Sequence, residues 1–400
     1  TTSAFPPFHM LPLEYPPLTL LIFSPALLAP FLYYQVAFAL FIALVSVLAY
    51  SLLLHYAPRG AALAFALYML IGAWATAEGR FDLIPAGLTL LCVIAADRKH
   101  WTSAYIALAF ATLLKIYPLL LLPALFIAEQ QGSLRIYLPR KSLTLKTLPT
   151  ELWHTLRSIR RWHWTNSLIF FAILIAITGL FALIDFRGAV LSQFTYFSNR
   201  PVQVEATAST LLWIGTLFGF PVHITFSYGS FNIISALGHR IALLFEILLI
   251  LGYIYVIWQQ WRGKFDLVQA SIAVLLLFIA TSKVFSPQYL MWLIPLLAYS
   301  GAFNRFWLPL WGSICLITTI IYPYIYTSVS NGMLAPSLPS FIELVALRNA
   351  LIVLVTLAYL FNWFHLRKRK PLPLPLAGKE TRPLSIEDNQ YINSNVRASK

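Results

Sequence analysis

Charged residues are scarce in this 400-residue sequence, at 10% of the chain, whereas 59% of its residues are hydrophobic. Soluble domains carry about a quarter charged residues, so this composition argues against a soluble globular protein. Apolar runs of roughly 17–25 residues recur, which is the length that a helix needs to cross ~30 Å of hydrocarbon. Backbone polar groups in lipid must be satisfied within the segment. The sequence therefore predicts an all-α, polytopic transmembrane helical bundle.

Cysteine and acidic residues are also few. Cys92 and Cys315 both lie in apolar runs, where a thiol is usually a small buried hydrophobe, and we expect no disulfide. No Cys/His cluster has metal-ligand spacing, and we expect that no metal or other cofactor is required, although Asp82 could support a divalent metal. The 14 acidic residues are outnumbered by 28 Lys and Arg. In a membrane protein this excess is typical of cytoplasmic loops, and we expect no nucleic-acid partner.

Polar breaks divide the apolar runs into about 11 predicted spans. They lie near residues 32–55, 60–77, 81–96, 101–114, 117–128, 167–185, 239–259, 267–281, 288–303, 306–326 and 342–364. The fourth and fifth could instead form one helix kinked around Lys115 and Pro118. Counting them separately agrees better with the distribution of charge.

Basic residues predict the orientation. With the N-terminal side outside, 21 of the 28 Lys and Arg fall on inner segments, as the positive-inside rule expects. Within a transmembrane domain at 1–366, this orientation makes 129–166 a basic cytoplasmic loop and 186–238 an outer loop. Residues 367–400 are expected to form a disordered cytoplasmic tail. We expect a multi-pass protein of a bacterial plasma membrane, with an upstream span and part of an outer loop preceding Thr1.

Five short segments on the predicted outer side carry ionisable or hydrogen-bonding residues near span ends. They are 14–18, 78–82, 114–118, 199–205 and 282–289. Ionisable groups at such places are costly and are usually functional. Lysines with neighbouring tyrosines suit an anionic phosphate, and outer acids suit a general base that deprotonates a sugar hydroxyl.

Each segment also has a simpler explanation. The double proline after Tyr15 can start an ordinary helix, here a short interfacial one at 17–29. Asp82 can cap the helix that follows it. Lys115 and Lys283 can extend towards lipid headgroups. The outer loop can be a solvated connection with a short interfacial helix at 208–220.

Several segments resemble the polyprenol-phosphate-mannose-dependent glycosyltransferases of family 87, within the GT-C superfamily. The matching stretches are Tyr15-Pro16-Pro17-Leu18, Gly79-Arg80-Phe81-Asp82, residues 114–123 around Lys115-Ile116-Tyr117-Pro118, Gln203-Val204-Glu205, and residues 282–292 around Ser286-Pro287-Gln288-Tyr289. The resemblance implies a GT-C-like fold and an inverting transfer of mannose, or a related hexose or pentose, from a polyprenyl-phosphate sugar. It also implies a catalytic aspartate before the Tyr-Pro-Pro stretch, but residues 1–13 contain no acid. The neighbouring Glu14 is the weak candidate for that role.

The residues are assigned to two expected roles. Donor-phosphate binding is expected of Lys115, Lys283, Tyr117 and Tyr289. Sugar and acceptor binding is expected of Glu78, Arg80, Asp82, Arg200, Gln203, Glu205, Ser286 and Gln288. The expected partners are the lipid-linked sugar, a glycan or glycolipid acceptor outside the cell, and membrane lipids. The alternatives are a polytopic lipid or solute transporter and a non-catalytic membrane scaffold.

Overall fold

A computed structural model describes most of the chain. The described residues are 15–133, 150, 153, 157, 159–301, 306–328, 335–338 and 340–363. The structure is mostly helical, at 77% helix with few strands. The expected cytoplasmic tail at 367–400, Glu14 and most of the predicted 129–166 loop lie outside the described residues.

The described α-helices of eight residues or more are numbered here in chain order. They are α1 (Tyr34–Tyr56), α2 (Ala61–Gly72), α3 (Leu83–Asp97), α4 (Trp101–Leu114), α5 (Leu122–Gly132), α6 (Thr165–Ala182), α7 (Ser192–Asn199), α8 (Thr207–Thr216), α9 (Gly238–Trp261), α10 (Leu267–Thr281), α11 (Tyr289–Gly301), α12 (Trp307–Thr319) and α13 (Phe341–Leu360). Short α-helical turns are Leu20–Phe23 and Trp74–Ala77, the 3₁₀ turns are Pro17–Thr19, Ser24–Leu28, Phe31–Tyr33, Tyr117–Leu121, Ile159–Arg161 and Ala335–Ser337, and π-helical turns are Arg187–Leu191 and Ile320–Ile325.

Every predicted span overlaps a helix, and two of them, α4 and α10, begin and end where the sequence predicts. The described residues contain five helices that are long and apolar enough to cross a membrane. They are Phe31–Tyr56, Thr165–Ala182, Gly238–Trp261, Trp307–Ile325 and Phe341–Leu360. The other apolar helices have 10–17 residues and, at ~1.5 Å per residue, are shorter than the ~30 Å hydrocarbon core. The prediction of about 11 spans is therefore not confirmed, whereas that of a multi-helix membrane protein is.

The helices divide into an exposed and a buried group. Only 22%, 17% and 11% of the apolar windows of α1, α6 and α9 are buried, which is typical of helices that face lipid. In contrast, α10 and α11 are hydrophobic all round and almost entirely buried. A helix that is apolar on every face belongs in the interior. The loop between α10 and α11, residues 282–288, consequently emerges from the centre of the molecule.

Lys115 lies at a break between two helices. α4 ends at Leu114, and the backbone of Lys115 is extended (φ −155°, ψ 139°). A 3₁₀ turn begins at Tyr117 and leads into α5. The structure therefore has two helices here, as the sequence predicts, whereas their crossing the membrane as two separate spans stays a prediction. The break places the lysine side chain at a helix end instead of on a helix face.

The expectation that the fold is all-α needs one correction, in the predicted outer loop. This segment contains α7 and α8 and a small antiparallel sheet of β1 (Val202–Gln203), β2 (His223–Ser227) and β3 (Ser230–Ile234), in the order β1-β3-β2. Tyr228 and Gly229 connect β2 to β3 with positive φ at both positions, as a type I′ hairpin turn requires. The flanking β-branched and aromatic residues favour strands. The predicted short helix at 208–220 is confirmed as α8.

Gly72 marks a close approach of α2 and α12. A Cβ added at Gly72 would lie 2.6 Å from Cys315 Sγ and 2.9 Å from Cys315 Cα, so Gly72→Ala should destabilise the protein by about 1–3 kcal/mol. Gly87→Ala in α3 is the matched control, because a Cβ there meets nothing within 4 Å and should stabilise by up to about 1 kcal/mol. Equilibrium unfolding in mixed detergent micelles measures both, and equal stability of the two variants would contradict the packing argument.

Candidate functional site

A cavity with a volume of about 800 Å³ is bounded by the Lys115 break, α7, the β2–β3 hairpin and the 282–288 loop. It contains eight of the twelve residues, other than Glu14, to which the sequence assigns a binding role. These eight are Arg80, Lys115, Tyr117, Arg200, Gln203, Ser286, Gln288 and Tyr289. Leu119, Leu120, Leu191, Phe194 and Phe278 supply apolar lining. The cavity thus combines cationic and amide groups with hydrocarbon walls.

Lys115 is fixed by an acid and three aromatic rings. Its Nζ donates to Asp82 Oδ1 in an ion pair whose carboxylate is fully buried, with 12% of the lysine side chain exposed. The ammonium lies 5.2 Å from the ring centroids of Tyr15 and Trp292 and 5.4 Å from that of Phe81. Such distances allow cation–π attraction. Lys115 therefore does not extend into lipid; it is anchored at the cavity wall.

Asp82 joins this cluster to α11. Trp292 Nε1 donates to Asp82 Oδ1 at 2.6 Å, so one carboxylate oxygen accepts from both the lysine and the indole. The other oxygen, Oδ2, is buried without a hydrogen-bond partner among the described residues. Asp82 precedes the first residue of α3 but makes no side-chain capping bond. Its observed role is to position Lys115 and Trp292, and the capping explanation is wrong.

Three stacked rings extend from this cluster along the cavity wall. Tyr289 and Trp292 stack with centroids 4.0 Å apart, and Trp292 and Tyr117 stack at 4.1 Å with an angle of 7° between the rings. All three rings line the cavity. A planar aromatic surface beside a cation can contact the apolar face of a sugar or a prenyl chain while the cation binds phosphate.

The predicted outer loop supplies the opposite wall. Arg200 Nη2 donates to Ser230 Oγ at 2.8 Å, and its guanidinium carbon lies 5.6 Å from the centroid of Tyr196. Tyr196 donates to the carbonyl of Tyr228 in the hairpin turn at 2.8 Å. These contacts hold α7 and the hairpin together. Arg200 is thereby placed on the same cavity as Lys115.

Lys283 lies beside the cavity and is not among its lining residues. Its Nζ donates to the carbonyl of Ser198 at 3.0 Å and lies 5.1 Å from the Phe197 centroid. The pKa of Lys283 is lowered, chiefly by burial of its ammonium group and also by the nearby charge of Arg200. The charge of Glu246 acts in the opposite direction and raises it. Lys115 and Lys283 were both expected to bind the donor phosphate, but of these two lysines only Lys115 lines the cavity.

Two predicted acids lie elsewhere. Glu205 is 2% exposed and forms an ion pair with the fully buried Arg348 of α13. Glu78 lines a second, apolar groove of about 490 Å³ between α1 and α2. The weak catalytic candidate, Glu14, lies outside the described residues.

Sequence reasoning overlooked three parts of the site: Trp292, the α7–hairpin wall and Arg348. Trp292 stands in the quoted 282–292 stretch, but an indole within an apolar helix gives no signal of a buried acid 210 residues away. The Tyr228-Gly229 pair between two short β-branched segments is a hairpin signal that could have been used. Arg348 had a signal too, because a lone arginine in an apolar span needs a partner.

The described residues contain no group of three or more His, Cys, Asp or Glu side chains that could hold a metal ion. The expectation that neither a metal nor another cofactor is required stays a prediction. The chemistry available from the described cavity residues is that of cations, amides, hydroxyls and aromatic rings. Such groups bind and orient an anionic amphiphile.

A search of curated proteins found no match. A family model, that of glycosyltransferase family 87, matches residues 13–137, which include the Tyr-Pro-Pro segment, Asp82 and Lys115. The match covers one wall of the cavity and indicates a glycosyltransferase. Over residues 13–137 the chain is therefore similar to glycosyltransferase family 87, and its long apolar helices are consistent with a membrane protein of that kind.

Proposed function

We propose that the protein transfers mannose, or a related hexose or pentose, from a polyprenyl-phosphate sugar to a glycan or glycolipid acceptor on the extracytoplasmic face. The observation that carries the proposal is the Lys115–Asp82–Trp292 cluster on a cavity with apolar walls. A phosphate and a prenyl chain require this pairing of a fixed cation with hydrocarbon surface.

The proposed reaction is a single displacement with inversion. The acceptor hydroxyl oxygen attacks the anomeric carbon, the bond from that carbon to the phosphate oxygen breaks, and the hydroxyl proton passes to a carboxylate base. The electron pair of the broken bond leaves with the polyprenyl phosphate. Lys115 and Arg200 stabilise the charge that develops on this leaving group.

The remaining cavity residues take positioning roles. Gln203, Ser286 and Gln288 offer hydrogen bonds to sugar hydroxyls, and the stack formed by Tyr117, Trp292 and Tyr289 supports the sugar ring or the first isoprene units. Asp82 is held by the mostly buried Lys115 and Glu205 by the fully buried Arg348, so neither is assigned as the base. The base is expected before Tyr15, as the family resemblance implies.

The test is a transfer assay on purified protein with polyprenyl-phosphate-mannose, with the nucleotide sugar GDP-mannose in a parallel reaction. We expect transfer from the lipid-linked donor alone. Equal transfer from GDP-mannose would contradict the proposal. Movement of lipid across a proteoliposome without sugar transfer would favour a transporter instead.

Arg200→Ala should lower kcat/KM for the lipid-linked donor by about 10–100-fold, because a charged hydrogen bond contributes about 1.5–3 kcal/mol. Arg240→Ala is the matched control, since Arg240 is exposed at the start of α9 and does not line the cavity. Initial rates over a range of donor concentrations measure both values. An equal kcat/KM for the two variants would remove Arg200 from the proposed site.

A further inference from the structure

Arg348 is a fully buried arginine in the candidate span α13. Its Nη1 donates to Glu205 Oε2 at 2.8 Å, and its Nη2 donates to the Glu205 carbonyl at 2.5 Å. The guanidinium carbon also lies 4.0 Å from the ring centroid of Phe285. Burying both charges carries a large desolvation cost that an ion pair rarely recovers in stability. What such a pair can supply instead is one specific arrangement of the neighbouring chain.

Both partners of Arg348 lie next to cavity residues. Glu205 follows Gln203 by two positions, and Phe285 immediately precedes Ser286. Gln203 and Ser286 both line the cavity that contains Lys115. A backbone bond from Gln203 N to the Lys283 carbonyl, at 2.9 Å, joins the same two segments directly. Arg348 thus ties the 200–206 segment to the 282–288 loop.

Further bonds complete this connection. Tyr326 donates to Glu205 Oε1 at 2.9 Å, so both carboxylate oxygens have partners. Asn349 Nδ2 donates to the Ala206 carbonyl at 3.1 Å and to Thr210 Oγ1 at 3.0 Å. Arg348 is not among the cavity-lining residues, so it acts on a bound molecule only through the residues that it holds.

We infer that Arg348 is a positioning residue, which fixes the 200–206 segment and the 282–288 loop so that Arg200, Gln203 and Ser286 face one substrate. The inference rests on the proposed function for its kinetic consequence, whereas the geometric consequence stands alone. Misplacement of substrate-binding groups by about 1 Å is enough to slow a reaction about 100-fold.

The kinetic test uses the double variant Arg348→Met/Glu205→Met, because replacing both members of a buried ion pair with apolar residues is often tolerated. We expect a thermal unfolding midpoint close to that of the unchanged protein but a kcat/KM about 100-fold lower, with most of the loss in kcat. Arg348→Lys keeps the charge without the planar fork and should lose about tenfold. Wild-type kcat/KM in either variant overturns the inference.

The control is Thr356→Val, a buried polar residue two turns further along α13 that bonds to Ile352 and Leu276. It should leave kcat/KM within twofold. A loss in Thr356→Val as large as that in the double variant would show a general effect of disturbing α13 and would overturn the positioning role.

The geometric test needs no activity. Spin labels on cysteines introduced at Phe226, exposed on β2, and Leu316, exposed on α12, report the distance from the sheet to the helices; native Cys92 and Cys315 are buried. Pulsed electron resonance should give a broader distance distribution in Arg348→Met/Glu205→Met and in Arg348→Lys, but not in Thr356→Val. An unchanged distribution overturns the inference. Broadening in a protein whose wild type transfers no sugar would instead refute the proposed function and leave the positioning geometry supported.

Discussion

Replacing Lys115 with alanine is expected to lower kcat/KM for sugar transfer by about 10²–10³-fold, or ~2.7–4 kcal/mol of transition-state stabilisation. Lys115 is a cation held at the cavity wall by Asp82 and three aromatic rings. A group fixed in this way stabilises developing phosphate charge without reorganising. Initial-rate measurements with the polyprenyl-phosphate sugar, normalised to folded protein, give the value.

The control for this prediction is Lys264→Ala, since Lys264 is exposed in the turn after α9 and is not among the cavity-lining residues. Its kcat/KM should stay within twofold of the unchanged protein. Lys115→Arg keeps the charge but not the compact ammonium, and should fall between the two. Full activity in Lys115→Ala would mean that the leaving group is stabilised elsewhere, and the proposed site would be wrong.

Asp82→Asn is expected to destabilise the protein by about 3–5 kcal/mol. The substitution leaves the mostly buried ammonium of Lys115 without its carboxylate, and breaking one side of a buried pair has this cost. Equilibrium unfolding in mixed micelles is the measurement. Asp97→Asn is the control at the other end of α3, where the carboxylate is exposed and accepts a bond from Tyr299 at 2.7 Å. There we expect only about 0.5–1.5 kcal/mol.

A double substitution that removes both charges of the ion pair separates its effect on stability from its effect on sugar transfer. In Asp82→Asn/Lys115→Met, no charge is left uncompensated, so most of the lost stability should return while sugar transfer stays low. If Asp82→Asn alone were no less stable than Asp97→Asn, the two charges would not interact as the structure has them. The ion pair would then be removed from the explanation of the site.

The positions of the helices could be predicted from the sequence because apolar runs and polar breaks are local signals. The number of membrane crossings could not be predicted. An apolar helix of 12–15 residues, such as α2 or α10, has the same sequence pattern whether it faces lipid or packs inside a bundle. The strands β2 and β3 were missed since five-residue segments give little periodicity to read. Their hairpin turn carried the stronger signal.

The sequence predicted many of the residues that line the cavity, but not which of the site residues contact each other. Ionisable residues near span ends on the predicted outer side identified Lys115, Asp82 and Arg200, because charges at such places are costly. The partners of those charges are set by tertiary packing: Asp82 pairs with Lys115 and Trp292, and Glu205 with Arg348. Sequence spacing carries no information on contacts between residues 143 or 210 positions apart.

The sequence separations within this cluster also set the order in which its members are synthesised. Lys115 follows Asp82 by 33 residues, whereas Trp292 follows by 210. At about 5–20 residues per second, the lysine emerges roughly 2–7 seconds after the aspartate, and the tryptophan roughly 10–40 seconds after it. The two charges can neutralise each other while most of the chain is still unmade, and the aromatic stack is added afterwards. The Lys115–Asp82 ion pair can therefore form before Trp292, the last member of the cluster, has been synthesised.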